Sequence, residues 1–345
     1  MKKLFFLLSG EHKTLPKSEL KAILKAENQK YKIIEELDQV IRLETNPKCI
    51  KTIEKRAALT RTCNLELFTC KANINKIIEN LRLTNIDETI KKGETFAVRI
   101  KRVKKHSQKI NRMLLERKLG EIILNKKEKI KVNLKKPEKT FTGILTQEKF
   151  IFGLKIAEIS TKQFTMRRPR KKPFFHPSAM QPKLARCMVN LTQPKPRELI
   201  LDPFCGTGSI LIEAALIGCK IIGTDIKKQM AKGTIKNLKH FKIKPEGIII
   251  ADAKNIPITK TDHVVTDPPY GRSSTTLKRT TKQIIEEALT AIQTPLKKGG
   301  KICIAAPKNV KIREIGEKLG YKHLESHYVY VHRTLTREIA VFEKV

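Results

Sequence analysis

Leu201-Asp202-Pro203-Phe204-Cys205-Gly206-Thr207-Gly208 is the stretch whose reading decides the fold. The apolar residues Leu199–Leu201 predict a buried strand, and two closely spaced glycines predict a tight turn opening directly into a helix over Ser209–Ile217. The segment is not GxGxxG and lacks the Lys-Ser/Thr of a phosphate-binding loop, so nothing in it suits a pyrophosphate. Further along, Ile221–Gly223, Gly247–Ala251, Val264–Thr266 and Ile302–Ala305 are near-continuous apolar runs, as strands buried on both faces are. Helical periodicity falls between them at Lys228–Phe241, Thr281–Leu296 and Val310–Leu319, and a hairpin of Ser326–Val331 with Arg337–Phe342 closes the chain. This alternation predicts an α/β domain of Rossmann-like type, a mostly parallel doubly wound sheet with an antiparallel C-terminal hairpin.

In such a sheet, ligands bind beyond the carboxyl ends of the strands. Three strands in a row end in carboxylates there. Asp202 ends the first. Asp225, with Ile226 beside it, ends the second and is placed to accept hydrogen bonds from a ribose diol. Asp252-Ala253 ends the third, where a carboxylate can meet the amine of an adenine ring. Any one of them alone is an ordinary turn-former; three behind a glycine turn point to an adenosyl ligand. Pro203, Cys205, Gly206 and Gly208 form the turn itself.

The fourth strand delivers Thr266-Asp267-Pro268-Pro269-Tyr270-Gly271. Two prolines stiffen the backbone and remove two N–H donors, leaving carbonyl acceptors. An exocyclic base amine is a weak nucleophile because its lone pair is delocalised into the ring. Acceptors that hold both N–H bonds help it become tetrahedral, and the Asp267 carboxylate and Pro268 carbonyl can supply them. Tyr270 offers a flat face to an extruded base. Taken alone, the tetrapeptide reads equally well as a Pro-Pro turn after a strand. His176 and Ser178, in Phe174–Arg186, are candidates to cover the other end of the ligand. A simple helix capped by Ser178 accounts for that segment equally well, and His176 suits a structural role better than that of a general base. No His/Cys/carboxylate cluster has metal-ligand spacing, so no metal is expected.

Upstream the pattern differs. Leu4–Leu8, Tyr31–Glu36, Val40–Leu43 and Leu65–Cys70 read as strands, with helices at Lys17–Ala26 and Cys49–Ala58, giving the β-α-β-β-α-β order of a ferredoxin-like unit over residues 1–72. A second small α+β unit follows over 73–160, with helices at Ile74–Leu83 and Asn111–Leu124. Its strands are expected at Thr95–Arg102, Ile130–Leu134, Thr140–Leu145 and Phe150–Leu154. The basic, proline-punctuated stretch around Met166–Pro173 predicts an irregular linker over 161–175, and the catalytic domain is expected over 176–345.

The net charge is +38, and residues 101–172 carry 23 Lys/Arg against 6 Asp/Glu. A field of that sign and density attracts a polyanion, although a Lys-rich, well-solvated surface is the plainer account. Seven cysteines without a CxxC pair make neither a disulfide framework nor a zinc site; Cys49, Cys63 and Cys70 are close enough in sequence for one bridge, with free thiols the expected state. The apolar run near Met1 is shorter than the roughly 7–15 residues of a secretory core. No stretch approaches the roughly 20 apolar residues of a membrane span, so a cytoplasmic, membrane-free and monomeric protein is expected.

Phe204-Cys205-Gly206-Thr207-Gly208, the Asp267-Pro268-Pro269-Tyr270 loop and Phe175-His176-Pro177 resemble the amino-methyltransferases, and among them the archaeal tRNA guanosine-10 N2-methyltransferase family. The run His332-Arg333-Thr334-Leu335-Thr336-Arg337 is similar to that family too, and Phe96–Glu158 looks like its THUMP RNA-binding domain. The resemblance implies S-adenosyl-L-methionine as donor, tRNA as partner, and one or two methyl groups placed on N2 of guanosine 10. By matching position, it implies that Asp202, Cys205, Gly206, Asp225, Asp252 and Ala253 contact the donor while Asp267 and Pro268 orient the amine. The rival readings are a related THUMP methyltransferase acting on another guanosine of tRNA or ribosomal RNA, adenine N6 methylation of DNA, and a non-catalytic RNA-binding protein.

Overall fold

The computed structural model of the chain describes residues 1–270 and 279–345; Gly271, the last residue of the quoted proline loop, lies outside them. The chain starts with β1 (Lys2–Leu8), α1 (Leu15–Ala26), β2 (Tyr31–Leu37), β3 (Val40–Thr45), α2 (Cys49–Arg56) and β4 (Thr60–Lys71). It continues with α3 (Ile74–Leu83), β5 (Thr95–Arg102), α4 (Arg112–Lys126), β6 (Lys131–Val132), β7 (Lys139–Thr146) and β8 (Lys149–Glu158). These and the later elements form two compact units that interleave along the sequence. The first holds residues 1–11, 29–54 and 60–159; the second holds 12–28, 55–59 and 160–345.

The first unit is built on one eight-stranded sheet of order β2-β3-β1-β4-β8-β7-β5-β6. The strands expected for residues 1–72 pair in antiparallel fashion as β2-β3-β1-β4. The expected boundary at 72/73 falls within a continuous sheet, because β4 pairs along its length with β8. Its core gathers Ile77 and Leu81 of α3, Leu115, Leu119 and Ile123 of α4, and Phe96, Phe141, Phe150 and Phe152 of the strands. Asn73 and Asn111 start α3 and α4 by accepting the amides of Lys76 and Leu114 at 3.2 Å each. The strand expected over Ile130–Leu134 shrinks to the two residues of β6. Cys49, Cys63 and Cys70 are free thiols.

The second unit continues with α5 (Lys162–Met166), α6 (Pro182–Leu191), β9 (Leu199–Asp202), α7 (Ser209–Leu216), β10 (Lys220–Asp225), α8 (Lys228–His240), β11 (Gly247–Ile250) and β12 (His263–Thr266). It ends with α9 (Thr281–Ile292), β13 (Lys301–Pro307), α10 (Ile312–Lys318), β14 (Tyr321–His332) and β15 (Leu335–Lys344). The sheet order is β11-β10-β9-β12-β13-β15-β14. Strands β9 to β13 pair in parallel and β15 runs antiparallel to both its neighbours, as the Rossmann-like reading requires. Alternation along each strand loads both faces. Ile200, Val265, Cys303 and Val341 pack with α6 and α7, whereas Leu201, Val264, Ile304 and Phe342 pack with α9 and α10. Among the described residues no helix is long and apolar enough to cross a membrane.

Helix α1 belongs to this unit, and buried polar bonds explain why. The Glu19 carboxylate accepts the amides of Ala58 and Leu59 at 2.9 and 2.8 Å and the Asn190 amide group at 2.8 Å. Leu15 and Ala22 join the same apolar cluster as Ala185 and Leu191 of α6. Residues 161–175, expected as an irregular linker, are packed instead: α5 and a single 3-10 turn (Pro169–Lys171) bury Phe164, Arg167 and Lys172. Their charges are answered inside. Glu213 of α7 takes Arg167 in a two-bond fork at 2.7 and 3.1 Å and Arg186 at 2.8 Å, and Lys172 donates to the Ser209 hydroxyl at 2.7 Å. Burial pulls the Lys172 ammonium down to about 8.

Replacing Glu213 with Ala strands two buried guanidinium groups, and a loss of about 3–5 kcal/mol is expected. The midpoint of urea unfolding measures it; a shift worth less than about 1 kcal/mol would show that the network contributes little.

Candidate active site

The strand order reverses between β9 and β12, and the carboxyl ends of four parallel strands meet there. Gly206 and Gly208 lie in the left-handed region, at φ 52° and 76°, where a side chain would be strained. Their jobs differ. The Gly206 amide donates to Asp225 Oδ2 at 3.0 Å, and a Cβ there would have only the Phe204 carbonyl, 3.8 Å away, as neighbour. Gly208 closes the turn by donating to the Cys205 carbonyl at 2.7 Å, and a Cβ on it would stand 3.0 Å from Thr234. It lies in neither cavity of the site, so its part is to start α7.

Asp202 is fully buried and accepts the Thr266 hydroxyl at 2.7 Å and the Phe204 amide at 3.1 Å. Burial, reinforced by the nearby carboxylates of Asp267 and Asp225, pushes its carboxyl up to about 7. Asp225 also accepts the Lys227 amide at 2.9 Å, and burial raises its carboxyl. Asp252 does not stand alone: Arg279 bonds it at 2.9 Å and reaches Glu287 at 2.5 Å.

The proline loop has its own internal bonding. The Tyr270 hydroxyl donates to Asp267 Oδ1, and Arg337 Nη2 stands 3.6 Å from Asp267 Oδ2. The Arg337 guanidinium also lies 5.2 Å from the centre of the Tyr270 ring, so a cation already engages the face expected to be open to a base. Burial raises the Asp267 carboxyl, while Arg337 and the Tyr270 hydroxyl hold it down. The Tyr270 hydroxyl is pushed well above its usual range by burial and by Asp267.

The segment before α6 is held to α8. Asn237 accepts the Phe174 amide at 2.9 Å and donates to the Phe174 carbonyl at 3.0 Å. The helix starts at Pro182, so Ser178 is not its cap; the Ser178 hydroxyl bonds His176 Nδ1 at 2.7 Å instead.

These elements enclose a cavity of about 390 Å³, lined by His176, Ser178, Pro203, Gly206, Asp225, Ile226, Asp252, Ala253 and all four residues from Asp267 to Tyr270. A smaller one of about 70 Å³ takes in Asp202 and Cys205, with Ser178, Gly206 and Asp267 on both walls. Met230, Arg279, His332, Leu335 and Arg337 also line the larger cavity and escaped the reading of strand ends. Arg337 and His332 arrive through the antiparallel pairing of β15 with β13 and β14, which no local pattern encodes. Their only sequence signal was the run His332–Arg337.

A family model described as an RMKL-like methyltransferase domain matches residues 169–337, and one described as a DNA methylase matches residues 87–237. A tRNA (guanine(10)-N2)-dimethyltransferase of Methanothermobacter thermautotrophicus is 36% identical over 348 residues, covering 98% of this chain and 98% of that protein. One of the same description from Methanocaldococcus jannaschii is 33% identical over 364 residues, covering 99% of each. Among solved structures, TrmN from Thermus thermophilus matches with a TM-score of 0.59 at 16% identity, covering 99% of this chain and 100% of that one. A protein solved as a complex with SAH matches with a TM-score of 0.57 at 15% identity, covering 100% and 99%. At these identities the structural likeness is one of fold.

A Cβ on Gly233 of α8 would come within 2.1 Å of the Phe174 ring, whose backbone Asn237 pins. Gly233→Ala is therefore expected to displace the His176–Ser178 wall and to destabilise the second unit by about 1–3 kcal/mol, checked by thermal unfolding. Unchanged stability would mean that the wall yields freely.

Proposed function

The chain belongs to the tRNA (guanine(10)-N2)-dimethyltransferase family, and on that premise we propose that it methylates N2 of guanosine 10 in tRNA, once and then again, with S-adenosyl-L-methionine as donor. The observation that carries the reading is that the Asp267–Tyr270 loop and the Asp225 and Asp252 carboxylates line one cavity at the point where the strand order reverses.

The donor set suits an adenosyl ligand. Asp225 is oriented by two backbone amides and can receive a ribose diol, and Gly206 leaves the space before it open. Asp252, Ala253 and Ile226 would hold the adenine end; His176, Ser178, Asp202, Pro203 and Cys205 would hold the methionine end. When bound, the donor supplies an electrophilic methyl group on a positively charged sulfur. The protein's part is to present the amine. Asp267 and the Pro268 carbonyl accept its two N–H bonds, directing the nitrogen lone pair towards the methyl, and Asp267 takes the proton that leaves. Burial strengthens Asp267 as a proton acceptor, and Arg337, 3.6 Å away, opposes that rise. Pro269 stiffens the turn, and Tyr270 orients Asp267 through its hydroxyl. In this reading, residues 73–160 form the THUMP domain that grips tRNA, beside the ferredoxin-like residues 1–72.

Mass mapping of a tRNA transcript after incubation with donor tests the proposal. One or two added methyls at guanosine 10 are expected, whereas methylation at another guanosine, or only on DNA, would overturn it. Asp267→Ala is expected to lower kcat by at least ~10²-fold with little change in donor affinity. Activity within about tenfold of wild type would remove Asp267 from the mechanism.

A second test uses pH. Asp267 faces Asp202, Tyr270 and Arg337, and of these only Arg337 carries positive charge. In Arg337→Met the Asp267 carboxyl rises further, so the acid limb of kcat/KM against pH should move to higher pH. An unmoved limb would separate Arg337 from the ionisation of Asp267.

A further inference from the structure

The chain has 13 Phe, 5 Tyr and no Trp, and all of these rings lie among the described residues. Only three are exposed: Phe175 at 43%, Tyr328 at 57% and Tyr330 at 72%. All three sit on segments that wall the catalytic cavity. Phe175 directly precedes His176, and Tyr330 directly precedes Val331 and His332, each a lining residue. On β14 the neighbours His327 and Val329 are buried, so Tyr328 and Tyr330 project from the same outward face, roughly 7 Å apart along the strand.

The rings come with cations. Lys308 Nζ lies 5.4 Å from the centre of the Tyr328 ring. Tyr328 and Lys308 line an open groove of about 870 Å³, in which Lys311 and Arg313 are paired with Glu314 at 3.2 Å and Glu317 at 2.9 Å, and Leu335 is a wall of both this groove and the catalytic cavity. Arg333 is exposed at the turn after β14, and Arg170 and Lys171 are exposed a few residues before Phe175. Exposed rings among cations, continuous with a cavity that must receive a base, are the pattern by which proteins hold unpaired nucleotides: rings stack on bases and cations meet phosphates. A chain of net charge +38 repels a second copy of itself and attracts a polyanion.

We propose that Tyr328, Tyr330 and Phe175 form a stacking platform on the rim of the catalytic cavity, binding nucleotides next to the target guanosine once they leave the helical stack, with Lys308 contacting the backbone. This deepens the tRNA reading and rests on it. The platform gives the second unit its own hold on RNA and favours substrate whose bases around the target can open.

The double variant Tyr328→Ala/Tyr330→Ala tests it, with Phe175→Ala as a separate arm. The rings are exposed, so thermal unfolding should hardly change, and donor affinity by calorimetry should match wild type. The KM for tRNA transcript should rise roughly tenfold or more in the double variant. The dependence of affinity on salt should keep its slope, because no cation is removed, whereas Lys308→Ala should lower that slope by about one. If wild type methylates tRNA and the double variant does so with unchanged KM, the platform is wrong. If wild type does not act on tRNA, the functional assignment fails, and the platform is then judged on a fluorescent single-stranded oligoribonucleotide. Tenfold weaker binding by the double variant supports it and equal binding overturns it. Should wild type sediment as a dimer that the double variant breaks, the rings are a self-contact and the proposal falls.

Discussion

The hydrogen bond from Thr266 to Asp202 ties together the two strands that the rest of the site is built on. Strands β9 and β12 are neighbours in the sheet, but their following segments leave on different errands: one becomes the glycine turn, the other the proline loop. Where they part, a crevice must open, and a crevice between two strand ends tends to widen or fill with water. The buried Asp202 carboxylate, whose Oδ1 accepts the Thr266 hydroxyl across the gap and the Phe204 amide of its own turn, ties the two strand ends together. The glycine turn and the proline loop therefore hold one distance, as a transfer between two molecules bound at the two strand ends would demand.

That arrangement concentrates negative charge in a very basic protein. Asp202, Asp225, Asp252 and Asp267 converge on one region, and burial raises three of them: Asp202, Asp225 and Asp267. Two arginines from later in the chain answer the outer pair, Arg279 at Asp252 and Arg337 at Asp267. Asp202 and Asp225 have backbone amides and hydroxyls instead. The centre of the pocket is thus held by neutral donors, and its two ends by cations that a ligand can share or replace.

How much of this could be read in the residues depends on the range of the interaction. Strand ends, glycine turn and proline loop are local, and every candidate there except Gly208 lines one of the two cavities. Gly208 lines neither cavity, because a left-handed residue serves equally to admit a ligand or to start a helix, and here it starts α7 with Thr234 packed against it. Arg279 and Arg337 were missed because their partners lie 27 and 70 residues away. Residues 161–175 misled for the opposite reason. Arg168, Arg170 and Lys171 do face solvent, but Arg167 turns inward to Glu213, 46 residues further along the chain. Ser178, likewise, looked like a helix cap but turns back to His176, leaving Pro182 to open α6.

Helix α1 also bears on the order in which the protein can be completed. It leaves the ribosome early, and apart from Ala58 and Leu59 the partners of its apolar side and of the Glu19 carboxylate do not exist until α6 has been made. Through that interval the helix is a short, unsupported segment, and such segments are marginal in water. Maturation of the catalytic half therefore waits on a piece of chain synthesised first and docked late. Any gene fusion or exchange that treats residue 160 as a clean joint would leave Asn190 and its neighbours facing water.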